Sequence, residues 1–189
     1  MPGLDDSRAF VPLKIAVLTV SDSRALADDK SGATLASRVE AAGHALADRA
    51  IVADEIEAIR ARVRTWIADP GVDVIITTGG TGFTGRDVTP EAVEPLFEKR
   101  MDGFSSFFHM ISAAKIGSST IQSRATAGVA GATYIFCLPG SPGACRDAWD
   151  EILVHQLDYR YRPCNFVELL PRLDEHLRRP KTERIVNSE

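Results

Sequence analysis

Short apolar runs alternate with amphipathic stretches along most of the chain. Compact runs of apolar and β-branched residues, typical of buried strands, occupy residues 14–20, 44–52, 72–77 and 133–138. Between these runs, apolar residues recur every three or four positions, as on one face of a helix. The alternation predicts an α/β fold, a three-layer α/β/α sandwich around a mostly parallel sheet.

Local signals place the helix ends. Ser31 is expected to cap the first helix, which ends at Gly43, and Thr89 is expected to cap a later helix with Pro90 in its first turn and a break at Gly103. Residues 115–124 are polar and rich in turn formers, and Gly128 and Gly131 frame a weak strand or loop. The helical apolar positions are Leu35, Val39, Ala42, Ile56, Ile59, Val63, Trp66, Ile67, Val93, Leu96, Phe97, Cys145, Trp149, Ile152, Leu153 and Leu157.

A cluster of large apolar residues recurs at helical spacing in one short segment: Phe104, Phe107, Phe108 and Ile111. Such a stripe is more typical of a core or a subunit interface than of a cofactor site. We therefore expect packing there.

Composition limits the classes of function. A chain of 189 residues with 44% hydrophobic residues can bury one core, and we expect one domain at 11–170 with tails at 1–10 and 171–189. The net charge of −4 and the pI near 5.6 argue against a nucleic-acid surface. The expected partners are small molecules and copies of the same chain.

Targeting and metal-binding patterns are weak. The first eleven residues lack a continuous apolar region and no later run approaches a membrane span, so we expect a cytoplasmic protein without membrane contact. The three cysteines Cys137, Cys145 and Cys164 form no C-x-x-C pair, and the histidines show no ligand spacing near them. A zinc site is not expected.

The segment 78–89, TGGTGFTGRDVT, joins a predicted strand to a predicted helix. Its glycines allow a tight loop with N–H groups close to a ligand, and Arg86 and Asp87 add one charge of each sign. Residues 80–85 match the G-x-G-x-x-G dinucleotide fingerprint, but no helix opens at those glycines and no second strand ends in an acidic residue about 20 positions on. A nicotinamide-dependent dehydrogenase is therefore not favoured.

Three loops that follow predicted strands carry hydroxyls and glycines, at 21–23, 79–87 and 139–141. In an open α/β sheet, ligands bind beyond the carboxyl ends of the strands. Hydroxyls, glycine N–H groups and a helix start can together hold phosphate. Each loop alone is weak, but their coincidence predicts an anion pocket.

Two carboxylates lie at the edge of this predicted pocket. Asp54 follows the strand at 44–52 and, with Glu57, resembles a capping box, which is the interpretation that local sequence favours. Asp87 also has a plain interpretation, either as the ion-pair partner of Arg86 or as an acidic residue at the approach to a helix. Both carboxylates would also be suited to holding Mg²⁺ between phosphate oxygens.

Five segments in this order resemble the molybdopterin-binding family of molybdenum cofactor biosynthesis, which includes molybdopterin adenylyltransferase, the G domain of gephyrin and the B proteins. The segments are IAVLTVSDS at 15–23, TTGGTG at 77–82, RDVTPEA at 86–92, QSR at 122–124 and LPGS at 138–141. The resemblance covers about residues 11–166, and its specificity comes from the combination rather than from any single segment.

The resemblance implies a three-layer domain that binds the pterin dithiolene molybdopterin. In active members, it implies transfer of AMP from Mg-ATP with release of pyrophosphate. Two aspartates essential in those members match Asp54 and Asp87, which would be catalytic and would hold Mg²⁺; this match favours the metal role over the cap. The positions carried over as pterin and nucleotide contacts are Ser21, Asp22, Gly79, Gly80, Thr81, Gly82, Ser123, Pro139, Gly140 and Ser141.

The resemblance leaves two functions open. Segments 120–125 and 161–166 look like those of B proteins, some of which lack the aspartate at position 54; this favours a protein that holds molybdopterin or a nucleotide without turnover. The presence of both aspartates favours the adenylyltransferase. Family members also imply a homotrimer, or a hexamer made of two trimers.

Overall fold

A computed structural model describes residues 2–178. Its strands are β1 (Gly3–Leu4), β2 (Lys14–Val20), β3 (Ala45–Val52), β4 (Val74–Thr78), β5 (Lys99–Arg100), β6 (Thr126–Ala130), β7 (Thr133–Leu138) and β8 (Tyr161–Arg162). Its α-helices are α1 (Lys30–Ala41), α2 (Ile56–Ile67), α3 (Thr89–Val93), α4 (Asp102–Ile116), α5 (Pro142–Ala148), α6 (Val154–Gln156) and α7 (Glu175–Arg178). Short 3₁₀ helices lie at Glu94–Leu96, Gly117–Gln122 and Leu170–Arg172, and a π turn at Trp149–Leu153 joins α5 to α6.

Six strands form one sheet in the spatial order β3-β2-β4-β7-β6-β5. The pairs β2–β3, β2–β4 and β4–β7 are parallel, whereas β6 runs antiparallel to both β7 and β5. The mostly parallel sheet is therefore confirmed, with an antiparallel edge. Because β6 runs in the opposite direction, its first residue lies at the same edge of the sheet as the last residues of β2, β3, β4 and β7.

Alternating residues of the central strands fill two separate cores. Val17, Ile76 and Phe136 face the layer of α1, α4 and α5, and their neighbours Leu18 and Ile75 face the layer of α2 and α3. This period of two on strands that are buried on both faces explains their continuous apolar runs. The predicted three-layer α/β/α sandwich is confirmed.

The predicted helix caps Ser31 and Thr89 are both wrong. Asp29, not Ser31, precedes α1, and its carboxylate accepts a hydrogen bond from the Gly32 N–H at 2.9 Å. Thr89 lies inside the first turn of α3, where its hydroxyl donates to the Gly79 carbonyl at 2.8 Å instead of capping. The Ser31 hydroxyl accepts a hydrogen bond from Arg24, and the Thr89 hydroxyl donates one to Gly79. Each side chain that the sequence pattern assigns to a cap is therefore used in a contact with another segment.

The middle of the chain also differs from the prediction. The helix after the central loop ends well before Gly103, which is the second residue of α4, and the short edge strand β5 intervenes. The weak strand near Gly128 is β6, and Gly131, with φ of +58°, turns the chain into β7. Gly128 is required because a β-carbon there would lie 2.4 Å from the Phe97 ring.

The segments expected as tails contact the domain where they are described. Strand β1 pairs antiparallel with β8, and Arg8 forms an ion pair with Glu168 at 2.6 Å. Residues 179–189 lie outside the described residues, and the domain limits at 11 and 170 stay a prediction. Within 2–178, none of the helices has the length and apolar character needed to cross a membrane.

Candidate functional site

A cavity of about 520 Å³ lies beyond the carboxyl ends of β2, β3, β4 and β7. All the sequence-predicted site residues except Asp22 line it. They are Ser21, Asp54, Gly79, Gly80, Thr81, Gly82, Asp87, Ser123, Pro139, Gly140 and Ser141. The structure thus brings together residues from five separate segments of the chain.

The glycine loop packs against the strand beside it. Gly79 has φ of +103°, and a β-carbon there would lie 2.3 Å from the Val20 carbonyl oxygen. Gly80 also has a positive φ, of +64°. Only glycine satisfies both the backbone conformation and the close approach, so these two positions fix the path of the loop along the cavity.

Asp87 is held within its own loop. Its Oδ2 accepts hydrogen bonds from the Thr84 N–H at 2.8 Å and from the Thr84 hydroxyl at 2.6 Å. Partial burial acts to raise its pKa, but the hydrogen bonds from Thr84 outweigh burial and hold the pKa below its usual range. Asp87 is therefore a fixed, ionised carboxylate on the cavity wall.

Asp54 does not form the expected capping box. The residue that precedes α2 is Glu55, and that helix start has no side-chain cap. Instead, the Asp54 N–H donates to Asp22 Oδ1 at 3.0 Å, and the side chain faces the cavity. Burial, followed by the charges of Asp22 and Asp87, raises the Asp54 pKa above its usual value.

Asp22 stands behind the cavity wall rather than in it. Arg86 binds its two carboxylate oxygens with two N–H groups, each at 2.9 Å, and reaches Glu55 at 2.9 Å with a third. The pairing of Arg86 with Asp87, one of the two plain interpretations of Asp87, is therefore wrong. The hydrogen bond from Arg86 lowers the Asp22 pKa, and Asp22 in turn holds the backbone of Asp54.

Sequence reasoning missed the role of Arg124. Its side chain donates to the carbonyls of Gly82 at 2.9 Å and Asp87 at 2.8 Å, and it pairs with Glu91. It thereby joins both arms of the central loop to the segment that carries Ser123. The only signal was its place in the QSR segment at 122–124.

The cavity has a second side that sequence reasoning largely missed. Helix α4 and the 3₁₀ helix after it contribute the polar residues Ser112, Ser119, Thr120, Gln122 and Ser123 together with the apolar Phe108 and Ile116. Of these, only Ser123 was predicted. Arg24, from the loop after β2, also lines the cavity and is the only cationic residue that does so in the part of the chain that the structure describes. The density of serine and threonine at 117–123 was the available sequence signal.

The residues at the cavity suit a metal that arrives with a phosphate ligand. Among residues 2–178 there is no group of three or more His, Cys, Asp and Glu side chains that could hold a metal on its own. Asp54 and Asp87 line one cavity, and Mg²⁺ commonly binds one or two carboxylates together with substrate phosphates and water. The donor set therefore fits Mg²⁺ in company with a nucleotide.

Comparison with known proteins identifies related sequences and structures. The family model described as "Probable molybdopterin binding domain" matches residues 16–159. Molybdenum cofactor biosynthesis protein B of Escherichia coli K12 is 52% identical over 160 residues, which are 85% of this chain and 94% of that protein. The Bacillus subtilis 168 protein of the same name is 42% identical over 151 residues, which are 79% of this chain and 89% of that protein.

A solved structure extends the similarity to the fold. The crystal structure of a molybdenum cofactor biosynthesis protein B matches with a TM-score of 0.76 at 36% identity, covering 92% of this chain and all of that one. The residues matched by the family model, 16–159, include all the strand-end loops that build the cavity.

Proposed function

The chain belongs to the molybdopterin-binding domain family of molybdenum cofactor biosynthesis, and from this premise we propose that it binds molybdopterin in the cavity and adenylylates it with Mg-ATP, releasing pyrophosphate. One observation carries the proposal. Asp54 and Asp87, which come from loops after different strands, line one cavity together with the glycine loop and the Pro139–Ser141 turn.

The two carboxylates differ in a way that suits a metal-assisted transfer. The hydrogen bonds of Thr84 hold Asp87 ionised, whereas the raised pKa of Asp54 reflects burial and the nearby charges of Asp22 and Asp87. A divalent cation would relieve this unfavourable ionisation. Asp54 and Asp87 would hold Mg²⁺, which would supply positive charge to offset the negative charge that develops on the α-phosphate and on the leaving pyrophosphate.

The surrounding residues keep these carboxylates in place. Arg86 fixes Asp22, which holds the Asp54 backbone, and Arg124 fixes both arms of the loop that carries Asp87. Such positioning matters because catalysis of phosphoryl and nucleotidyl transfer depends mainly on alignment and electrostatics.

The second candidate function is a protein that holds molybdopterin or a nucleotide without turnover. The observation that favours it is the identity of the relatives, whose name, molybdenum cofactor biosynthesis protein B, states a role in the pathway and no reaction. Binding without chemistry would require the cavity but not the charge of the two aspartates.

A single-turnover assay with Mg-ATP and molybdopterin separates the two functions. Replacing either aspartate by asparagine keeps its shape but removes its charge. We expect Asp54→Asn and Asp87→Asn each to slow formation of adenylylated product at least ~100-fold, about 2.7 kcal/mol in transition-state free energy, while molybdopterin still binds.

The matched control is Asp28→Asn, which removes an exposed carboxylate outside the cavity and should react as the parent does. No product from the parent would exclude the enzyme and leave the binding protein, and equal rates of product formation for the parent and both cavity variants would exclude the catalytic role of the two aspartates.

A further inference from the structure

A second cavity, of about 400 Å³, lies at the edge of the sheet opposite the candidate functional site. It is at the amino ends of the parallel strands, because His44, which lines it, immediately precedes β3. The paired strands β1 and β8 contribute Leu4 and Tyr161 to its wall. Within residues 2–178, this amino-end cavity shares no lining residue with the cavity at the carboxyl ends. Its volume falls in the range of pockets that bind small molecules, roughly 300–1,000 Å³.

His44 presents an unpaired donor to the amino-end cavity. Its Nδ1 accepts a hydrogen bond from the Leu13 N–H at 3.1 Å, so the proton of the neutral imidazole is on Nε2. Burial lowers the pKa of His44, which favours this neutral form. His44 is 6% exposed, yet its Nε2–H has no hydrogen-bond partner in the described part of the chain. Since buried donors are normally paired, this group points to a ligand in the cavity.

Asp158 supplies an acceptor at the same cavity, where it is 7% exposed. Its charge acts on His44, so the two groups are neighbours. Three N–H groups of Arg160 bind the carboxylate at 2.7 to 3.0 Å, whereas a carboxylate has about four acceptor positions. The described residues therefore leave one position for a further donor. Because Arg160 neutralises the carboxylate, His44 and Asp158 offer a donor and an acceptor without an unpaired charge.

Apolar and aromatic surfaces form most of the remaining wall. The centroid of the Phe10 ring lies 5.1 Å from that of the His44 ring, and the rings of His155 and Tyr161 stack with centroids 4.9 Å apart. The aliphatic lining residues are Leu4, Ala41, Ala42 and Val154. Aromatic walls around a few polar groups are typical of sites that bind planar rings.

We propose that the amino-end cavity is a second ligand site, for a small uncharged nitrogen heterocycle that carries an acceptor beside an amino group. The acceptor receives the His44 Nε2–H, and the amino group donates to the remaining position on Asp158. A charged ligand is disfavoured, because it would lose its hydration without gaining an unpaired counter-charge from Asp158 or Arg160. Adenine has the required edge, with ring nitrogen N1 beside the 6-amino group. The site rests on neither molybdopterin binding nor adenylyl transfer.

NMR of the full chain, labelled at the histidine ring nitrogens, tests the site with adenine as the probe. Binding should move the His44 signal saturably, and the shift gives the dissociation constant. Purine lacks the amino group and 1-deazaadenine lacks the ring acceptor. Each should bind about tenfold more weakly than adenine, the cost of one unmade buried hydrogen bond. Equal affinity for all three compounds would overturn the proposed recognition.

His109 reports whether adenine binds at the other edge of the sheet. Its Nε2 lies 2.9 Å from the carbonyl oxygen of Ser123, which lines the cavity at the carboxyl ends. A moved His109 signal with an unmoved His44 signal would place adenine in that cavity and overturn the second site. A moved His44 signal supports the second site whether or not the chain adenylylates molybdopterin, so the two proposals fail independently.

Ala41→Leu fills the amino-end cavity from the last residue of α1, which is exposed. It should weaken adenine binding at least tenfold and leave thermal stability close to that of the parent. Ala33→Leu is the matched control, since Ala33 is exposed on the same helix and does not line the cavity. An Ala41→Leu variant that melts as the parent does and binds adenine equally well would overturn the site, as would a His44 signal that adenine does not move.

Discussion

Asp54 and Asp87 show how environment separates two chemically identical side chains. Asp87 accepts two hydrogen bonds from Thr84, which stabilise its charge. Asp54 is partly buried and close to two other carboxylates, and these lower the stability of its charged form. Pairs of acids with pKa values shifted in opposite directions are common at functional sites.

The raised pKa of Asp54 has a consequence for stability. Because the folded state favours the protonated form, any stability from this group is present at low pH and is lost as pH rises through the raised pKa. At neutral pH, Asp54 is ionised at a cost in folding free energy, because it is partly buried and close to other carboxylates. Asp54→Asn removes this cost, so we expect the variant to melt at a higher temperature than the parent at neutral pH. The difference in melting temperature should shrink as pH falls through the raised pKa and should be gone below the usual aspartate pKa of about 3.8.

Asp22→Asn is the opposite control, because Arg86 lowers the pKa of Asp22. Its ionised form is stabilised by folding, so this variant should melt below the parent at neutral pH and converge with it in acid. Thermal melts of all three proteins across the pH range test both signs. An Asp54→Asn variant that is less stable than the parent at neutral pH would contradict the account of Asp54.

At the scale of elements, strand positions were predictable where burial on both faces imposes a continuous apolar run. Strands β2 and β7 have the predicted bounds, 14–20 and 133–138. Helix caps were not predictable in the same way, because Asp29 is held at the cap by Arg49, which is 20 residues away in sequence. Spacing along the chain contains no information about that partner.

The candidate site, like the fold, was predictable only in part. Loops after parallel strands meet at one edge, so the sequence could bring together the residues on them. The other side of the cavity depends on the antiparallel direction of β6, which places Thr120 and Ser123 at that edge. Arg24 reaches the end of β7 through side-chain length alone. Neither feature follows from local pattern.

Gly140 lies where the Pro139–Ser141 turn packs closely against the glycine loop. A substitution at Gly140 therefore tests how these two loops shape the cavity. A β-carbon at Gly140 would lie 3.2 Å from the Gly79 Cα, so Gly140→Val should push the Pro139–Ser141 turn away from the glycine loop. Both loops lie at the carboxyl ends of the strands, outside the two cores, so we expect only a small loss of thermal stability. Molybdopterin should bind at least tenfold more weakly, a loss of roughly 1.4 kcal/mol in binding free energy.

Gly85→Ala is the matched control, because a β-carbon there meets no atom within 4 Å. Gly79→Ala should behave differently again and destabilise the fold, since its β-carbon would clash with the Val20 carbonyl. Normal molybdopterin binding by a stable Gly140→Val variant would remove this turn from the site.

At the scale of the whole molecule, the apolar stripe expected for packing divides into two parts. Phe104 and Phe108 are buried in the core on the α4 side of the sheet. Phe107 and Met110, which lie on the other side of the same helix, are 45% and 60% exposed, and Ile121 after it is 71% exposed. Clustered exposed apolar side chains of this size are typical of a surface that another molecule covers.

We therefore predict a homotrimer, or a hexamer made of two trimers, in which this face of α4 contributes to the contact between subunits. The resemblance to the family supplies the number of subunits, and the exposed residues Phe107, Met110 and Ile121 supply the physical reason. Light scattering after gel filtration at micromolar concentration should give three or six times the chain mass of 20.5 kDa.

Phe107→Ser should shift the mass towards the monomer, whereas Leu26→Ser, which removes an exposed apolar side chain outside this face, should not. A parent protein that elutes with the mass of one chain would rule out the assembly, because the apolar face would then be stable in water without a second copy.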